Sequence, residues 1–294
     1  MRTALAAISA VLVSTSAARA DVVVTPLNMG SWAFANSDGN GVIGNNPTGV
    51  GQMVTGPATP PAGIGSANLA TGNGTSGGDG AEVLSTTAYA GTLLSDLSAL
   101  TYHTYDTLNN GQQFPYLSIE IATGNVTDPE DILFFEPPYQ TPSTGNPSLP
   151  NQGDTVLNEW QSWNALEGGW WDNNGVGGPG DGVVSLATIE AAYPDATIEN
   201  YSSELTPPDG LGGIGFNVGF ASATDQFNGY VDDFTIGIGG ANTTYDFEPA
   251  IPAPEPGTIA LLGAALFWLG AIGVRRQRGY RRGGSAAPYQ AQQP

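Results

Sequence analysis

The sequence predicts an all-β sandwich with one short helix. Glycine (42) and proline (22) make up about a fifth of the 294 residues, against an average near 12 %. Apolar residues come in short runs bounded by turn residues, not in long helical periods. One run alternates strictly, with Leu117, Ile119 and Ile121 set against Ser118, Glu120 and Ala122, as a half-buried strand does.

The first candidate strands are Val22–Val24, Ser66–Ala70, Glu82–Thr86, Ala99–Tyr105 and Tyr116–Ala122. Ile132–Phe135, Ile214–Phe220, Gly229–Ile238 and Thr243–Phe247 complete the set. Within the longest, Val231, Phe234 and Ile236 alternate unevenly with Asp232, Asp233 and Thr235. The spacing predicts one helix over Leu186–Tyr193, with Ser185 as its N-cap and Pro194 as its stop. The Gly-, Asn- and Thr-rich stretch from Asn36 to Gly80 reads in part as loop.

Both ends read as targeting segments. Residues 1–20 combine Arg2, an apolar run from Ala4 to Val13, and the small-x-small pattern Ala18-Arg19-Ala20. That is a secretory signal, with a mature chain starting at Asp21. Gly257 to Val274 is uncharged over 18 residues, which as a helix spans about 27 Å, close to a bilayer's hydrocarbon thickness. Five arginines follow, from Arg275 to Arg282, and place the 275–294 tail in the cytoplasm. The exported domain is then 21–248, joined to the membrane helix by a Pro-rich spacer at 249–256.

Charge excludes several functions. All 27 carboxylates lie between Asp21 and Glu255, and all seven arginines lie outside that span; there is no lysine. Such a body cannot neutralise phosphates, which excludes nucleic-acid binding. It has no amine for Schiff-base chemistry. Without cysteine there is no thiol nucleophile, disulfide or thiolate metal site.

Pro254-Glu255-Pro256, the apolar helix, and then Arg275, Arg276 and Arg278 together resemble the PEP-CTERM sorting signal of Gram-negative bacteria. The same segment is sometimes labelled an ice-binding protein C-terminal domain, a label that does not imply ice binding. The resemblance implies an exosortase-type processing enzyme as partner and anchoring in the inner membrane before processing. It also implies a final place in the cell envelope or the extracellular matrix of an exopolysaccharide-producing bacterium. Within the body, Trp170-Trp171, Ser185 to Ile198, Gly215 to Gly219, Val231 to Ile236 and Tyr245 to Glu248 resemble a domain of secreted bacterial proteins. That domain is similar to jelly-roll sandwiches of the carbohydrate-binding kind, which implies a jelly-roll-like fold more than an activity.

Candidate sites follow from residue type. His103 is the sole histidine and shares a strand face with Thr101 and Tyr105. It reads as structural, and no catalytic residue is assigned. Paired carboxylates suit glycoside hydrolysis, but a body this acidic contains such pairs by chance. Asn36 to Ile43 copies the first eight positions of an EF-hand loop, including Asp38 and Asn40, until Pro47 replaces the bidentate Glu. The mismatch makes a Gly/Asn-rich turn the leading reading of that stretch. Asp128, Glu130 and Asp131, or Asp232 and Asp233, are further candidate Ca²⁺ ligands. Trp160, Trp163, Trp170 and Trp171, with Asp172, form either a glycan-stacking platform or part of the core.

The expectation is a non-enzymatic exported envelope or matrix protein, with a cell-surface carbohydrate-binding module as alternative and a polysaccharide hydrolase third. Replacing Arg275, Arg276, Arg278, Arg281 and Arg282 with Gln should weaken the C-terminus-in orientation, because the charge asymmetry is lost. Reporter fusions at the C-terminus measure this, and an unchanged topology refutes it.

Overall fold

The computed structural model describes residues 19–38, 44–72, 80–127, 129–200, 212–219 and 222–250. Met1–Ala250 and Ile251–Pro294 are separate units, and all described residues belong to the first. The residues before 19 and the sorting signal at Pro254, Glu255, Pro256, Arg275, Arg276 and Arg278 lie outside the described residues, as does the expected membrane helix. Among the described residues no helix is long and apolar enough to cross a membrane.

The strands run β1 (Arg19–Val24), β2 (Trp32–Ser37), β3 (Val50–Thr55), β4 (Gly65–Thr71), β5 (Ala81–Thr86), β6 (Leu97–Leu108) and β7 (Tyr116–Ala122). They continue as β8 (Glu130–Phe135), β9 (Gln161–Asn164), β10 (Gly169–Asp172) and β11 (Val184–Ser185). After the helix α1 (Leu186–Ala192) come β12 (Thr197–Ile198), β13 (Ile214–Gly219), β14 (Phe227–Ile238) and β15 (Ala241–Phe247). The all-β expectation holds. Each strand expected from the sequence falls on an observed one, with Phe220 alone outside the described residues. β2, which runs into the Gly-rich stretch, β3 inside it, and the short β9 to β12 were not expected.

Two sheets form a sandwich. In the seven-stranded sheet, β14 pairs along one edge with β6, which in turn pairs with β9. Along its other edge, β4 takes Phe227–Val231 and β15 takes Phe234–Ile238. β3 and the parallel β1 then extend these two arms. The eight-stranded sheet runs β11-β10-β8-β7-β13-β5-β2, with β12 on the end of β7.

The uneven alternation in β14 has a physical cause. Two intervals of β6, from Thr101 to His103, oppose three intervals of β14, from Asp232 to Thr235. The extra residue is a β-bulge, and Asp233 adopts φ 50° there. The bulge returns Phe234 and Ile236 to the core side, where both are buried.

Aromatic rings join the two sheets. Trp32 on β2 stacks on Phe216 at 6.2 Å and meets Phe234 at 5.9 Å, Tyr245 at 5.1 Å and Phe247 at 5.1 Å edge-on. Phe216 also contacts Phe234 at 5.1 Å and Tyr102 at 5.1 Å. Such pairs contribute beyond their buried area. Helix α1 buries Leu186 and Ile189, and the Ser185 side chain accepts the Thr188 N–H as N-cap, as expected.

Phe216→Ala should cost about 3–5 kcal/mol, because the ring is fully buried and sits where both sheets contribute partners. Chemical denaturation measures this; a loss under about 1 kcal/mol would show that the inter-sheet ring cluster is not the principal contact.

Candidate functional site

Strand alternation separates the four tryptophans. On β10, Trp170 turns inward against Phe135 at 5.6 Å and is fully buried. Its neighbour Trp171 therefore turns outward, where it stacks on Phe134 at 4.2 Å. Trp163 on β9 is also fully buried, its indole donating to Thr104 Oγ1 at 2.7 Å. Trp160 sits beside the other sheet, half-buried, with its indole donating to the Pro57 carbonyl and its ring 5.5 Å from Tyr105. The four rings therefore do not form one platform. Two are core, and the other two sit on different sheets.

Asp172 is likewise not a free glycan ligand. It is buried and accepts the N–H groups of Gly177 at 2.6 Å and Val176 at 3.2 Å, which closes the turn after β10.

The outer face of the eight-stranded sheet holds the surviving candidate. Strand register sets Trp171, Phe134, Ser118, Gly215, Ser85 and Ala33 in one row across six strands. The row descends from two large rings to a floor of small side chains. Tyr116 adds a third ring, 6.2 Å from Phe134. Ser118 Oγ accepts the Asn217 amide at 2.8 Å on the same face. Glu120, paired in register with Ile132, belongs to this face too. A ring wall beside hydroxyl, amide and carboxyl groups is chemistry that suits a sugar. Sequence reasoning missed Phe134, Tyr116, Glu120 and Asn217, although the alternation around Ile119 already placed Tyr116 and Glu120 together on the outward face.

The expected calcium ligands are dispersed. Asp131 faces inward beside Asp172, with Oδ1 accepting the Ile132 and Asn173 N–H groups. Glu130 is exposed and on the other face. Asp232 is fully buried and accepts from Ala62 N at 3.0 Å and Phe247 N at 3.1 Å. Asp233 turns to His103 instead, 3.5 Å from its Nδ1. Burial lowers the His103 pKa and Asp233 partly opposes this. Asn36 and Ser37 belong to β2, not to an ion-binding loop, and Asp38 accepts the Asn45 amide at 2.7 Å. Asn40 and Asp128 lie outside the described residues. Among the described residues no three acids or histidines gather as a metal site.

Burial dominates the electrostatics. It pushes Glu82 and Glu120 up to about 8, and Asp106, Asp131, Glu136 and Asp232 up to about 7. Asp246 rises to about 6, through burial and then the neighbouring Glu248. At Glu120 the charges of Glu130, Glu199 and Asp131 add to burial; at Glu136 the Trp171 indole opposes it. Comparison with known proteins finds no matching family, no matching curated protein and no matching solved structure.

The pH dependence follows. Below about pH 4 these carboxyls are protonated in both states, so their effect on stability is fully favourable. As pH rises the unfolded chain ionises first, and stability falls until the folded values of about 6 to 8 are passed. Melting temperature should therefore decline from about pH 5 to about pH 8, the reverse of ordinary carboxylates. Glu120→Gln should raise it at about pH 8 and flatten the profile, as followed by circular dichroism. A melting temperature that increases over that interval contradicts this.

Proposed function

We propose that the chain is an exported, non-enzymatic envelope or matrix protein. In this reading a PEP-CTERM-type signal anchors it in the inner membrane and an exosortase-type enzyme releases it. The observation that carries the non-enzymatic reading is where the raised carboxyls point. Asp131 lies inside the sandwich, Asp232 is bound to backbone N–H groups, and Glu120 is on the outer face. They do not face one another across a cleft, as the two carboxyls of a glycosidase do. The finer fold we propose is jelly-roll-like. It is supported by a chain that passes between sheets from β4 to β5 and back to β6, and by the insertion of β13 between β5 and β7 and of β14 between β4 and β6. Calcium enters this proposal only through the exposed Glu130 at the start of β8.

The stacked Trp171–Phe134 pair favours a second reading, a carbohydrate-binding face for matrix polysaccharide. An all-acid body repels anionic polysaccharides, so neutral glycans are the expected class. A glycan array should show such binding. Trp171→Ala should weaken it about tenfold, or about 1.4 kcal/mol, while Trp160→Ala, on the other sheet, leaves it unchanged. Equal losses in both variants would refute the outer-face assignment. Release of reducing sugar, abolished by Glu120→Gln, would refute the non-enzymatic reading.

A further inference from the structure

We propose that Asn174-Gly175 is a self-modification site, where the chain converts its own asparagine to aspartate or isoaspartate and adds a negative charge beside β8. The chain holds five Asn-Gly pairs, at Asn40, Asn73, Asn110, Asn174 and Asn228. Asn40 and Asn73 lie outside the described residues. Folding sets the other three apart.

The chemistry needs only water. The Gly175 backbone nitrogen attacks the Asn174 side-chain carbonyl carbon and closes a five-membered succinimide. As that C–N bond forms, the C–NH₂ bond breaks and the amide leaves as ammonia, taking the proton of the attacking N–H. Water then adds at either ring carbonyl. One opening gives aspartate; the other gives isoaspartate, with an extra carbon in the backbone.

Ring closure needs a side chain free to swing onto a free backbone nitrogen. Asn228 is fixed within β14, its Nδ2 donating to Thr107 Oγ1 at 2.8 Å and its Oδ1 accepting from Asn68 at 2.7 Å, and Gly229 is buried. Asn110 is fixed at both ends of its amide. Its Oδ1 accepts the Gln112 and Gln113 N–H groups at 3.0 Å, and its Nδ2 donates to Asp225 and Gln113. The Gly111 N–H is also taken, by Asn109 Oδ1 at 2.6 Å. Asn174 and Gly175, by contrast, are both exposed. One 3.2 Å bond to the Glu130 carbonyl and a contact with the Tyr193 hydroxyl hold the amide. Among the described residues the Gly175 N–H makes no hydrogen bond. Gly175 has φ 88° and open space where a Cβ would stand, so nothing crowds the ring.

The product forms where charge is least tolerable. The turn is pinned to β8 by Asn174 on the Glu130 carbonyl and by the Asn173 N–H on Asp131. A carboxylate at 174 has no N–H for the first bond. It joins Glu130, Asp131 and Asp172, and the body has no lysine or arginine to offset it. The turn ends β10, whose Trp171 stacks on Phe134, so loosening it reaches the outer-face rings. The site does not depend on whether that face binds a glycan.

The test incubates the full chain in detergent micelles in mildly alkaline buffer, with and without urea. Chymotryptic peptides report loss of each amide by mass spectrometry, and isoaspartyl methylation separates the two products. In the folded chain Asn174 should convert at least about tenfold faster than Asn110 and Asn228, which must first give up more hydrogen bonds. In urea the three rates should converge. Ageing should lower the melting temperature of the unsubstituted chain by about 2–4 °C, and Asn174→Asp should do the same directly. Asn174→Gln, whose larger ring closes far more slowly, should keep the melting temperature of its own fresh sample. The proposal is overturned if Asn110 or Asn228 converts as fast as Asn174 in the folded chain, or if Asn174 leads by the same factor in urea. Equal drift of the unsubstituted chain and Asn174→Gln overturns it too.

Discussion

Between Asp21 and Glu255 the chain carries 27 carboxyl groups and no lysine or arginine, and the sandwich is built under that constraint. A buried acid here has no cationic side chain to pair with, His103 apart. It is held neutral by burial, or it accepts backbone N–H groups, or both. Asp232 ties β14 to Ala62 and Phe247, Asp172 closes the turn to Gly177, and Glu248 accepts from Ile64 and Gly65. Asp106 accepts from Asn109 at 2.6 Å and from the Leu108 N–H. The acids that composition marks as a solvated surface are thus in part the fastenings of loops to strands. Neutralisation in the interior also lowers the self-repulsion that 27 ionised groups would impose.

The aromatic core supplies the cohesion that ion pairs do not. Trp32 and Phe216 come from the eight-stranded sheet, and Phe234, Tyr245 and Phe247 from the other. The bulge at Asp232 and Asp233 allows this, because it shifts the inward phase of β14 by one residue and delivers Phe234 to the cluster. It also turns Asp233 out to His103. The sole histidine is therefore engaged by the same irregularity that completes the core, which fits a structural role.

In the proposed reading, display and recognition divide between different parts of the molecule. The ends carry the expected targeting features, and the sandwich offers two chemically different surfaces. One is the descending row from Trp171 to Ala33 on the outer face; the other is the apolar cavity at the β2–β3 edge. The first suits the apolar face of a sugar ring. The second is too poor in polar groups for a sugar and has one carboxyl behind it. Both arise from sheet geometry, the one from the register of six strands and the other from two unpaired edges.

Strand positions and the helix were legible because their signals are local. Alternation at Leu117–Ala122, the Ser185 cap and the Pro194 stop depend only on neighbours in the chain. β2 and β3 escaped notice because small residues interrupt Trp32, Phe34 and Met53, whose apolar partners come from other strands. Charge distribution by itself argued against nucleic-acid binding, and the absence of cysteine against thiol chemistry. The fate of each tryptophan and each acid was a tertiary decision. Trp170 and Trp171 are adjacent and identical, and only pairing with β8 determines that one faces the core and the other solvent. Glu82 and Glu120 are both strand acids, yet one lies against Gly51 between the sheets and the other on the outer face. Composition counts side chains; which of them lose water is settled when two sheets close on each other.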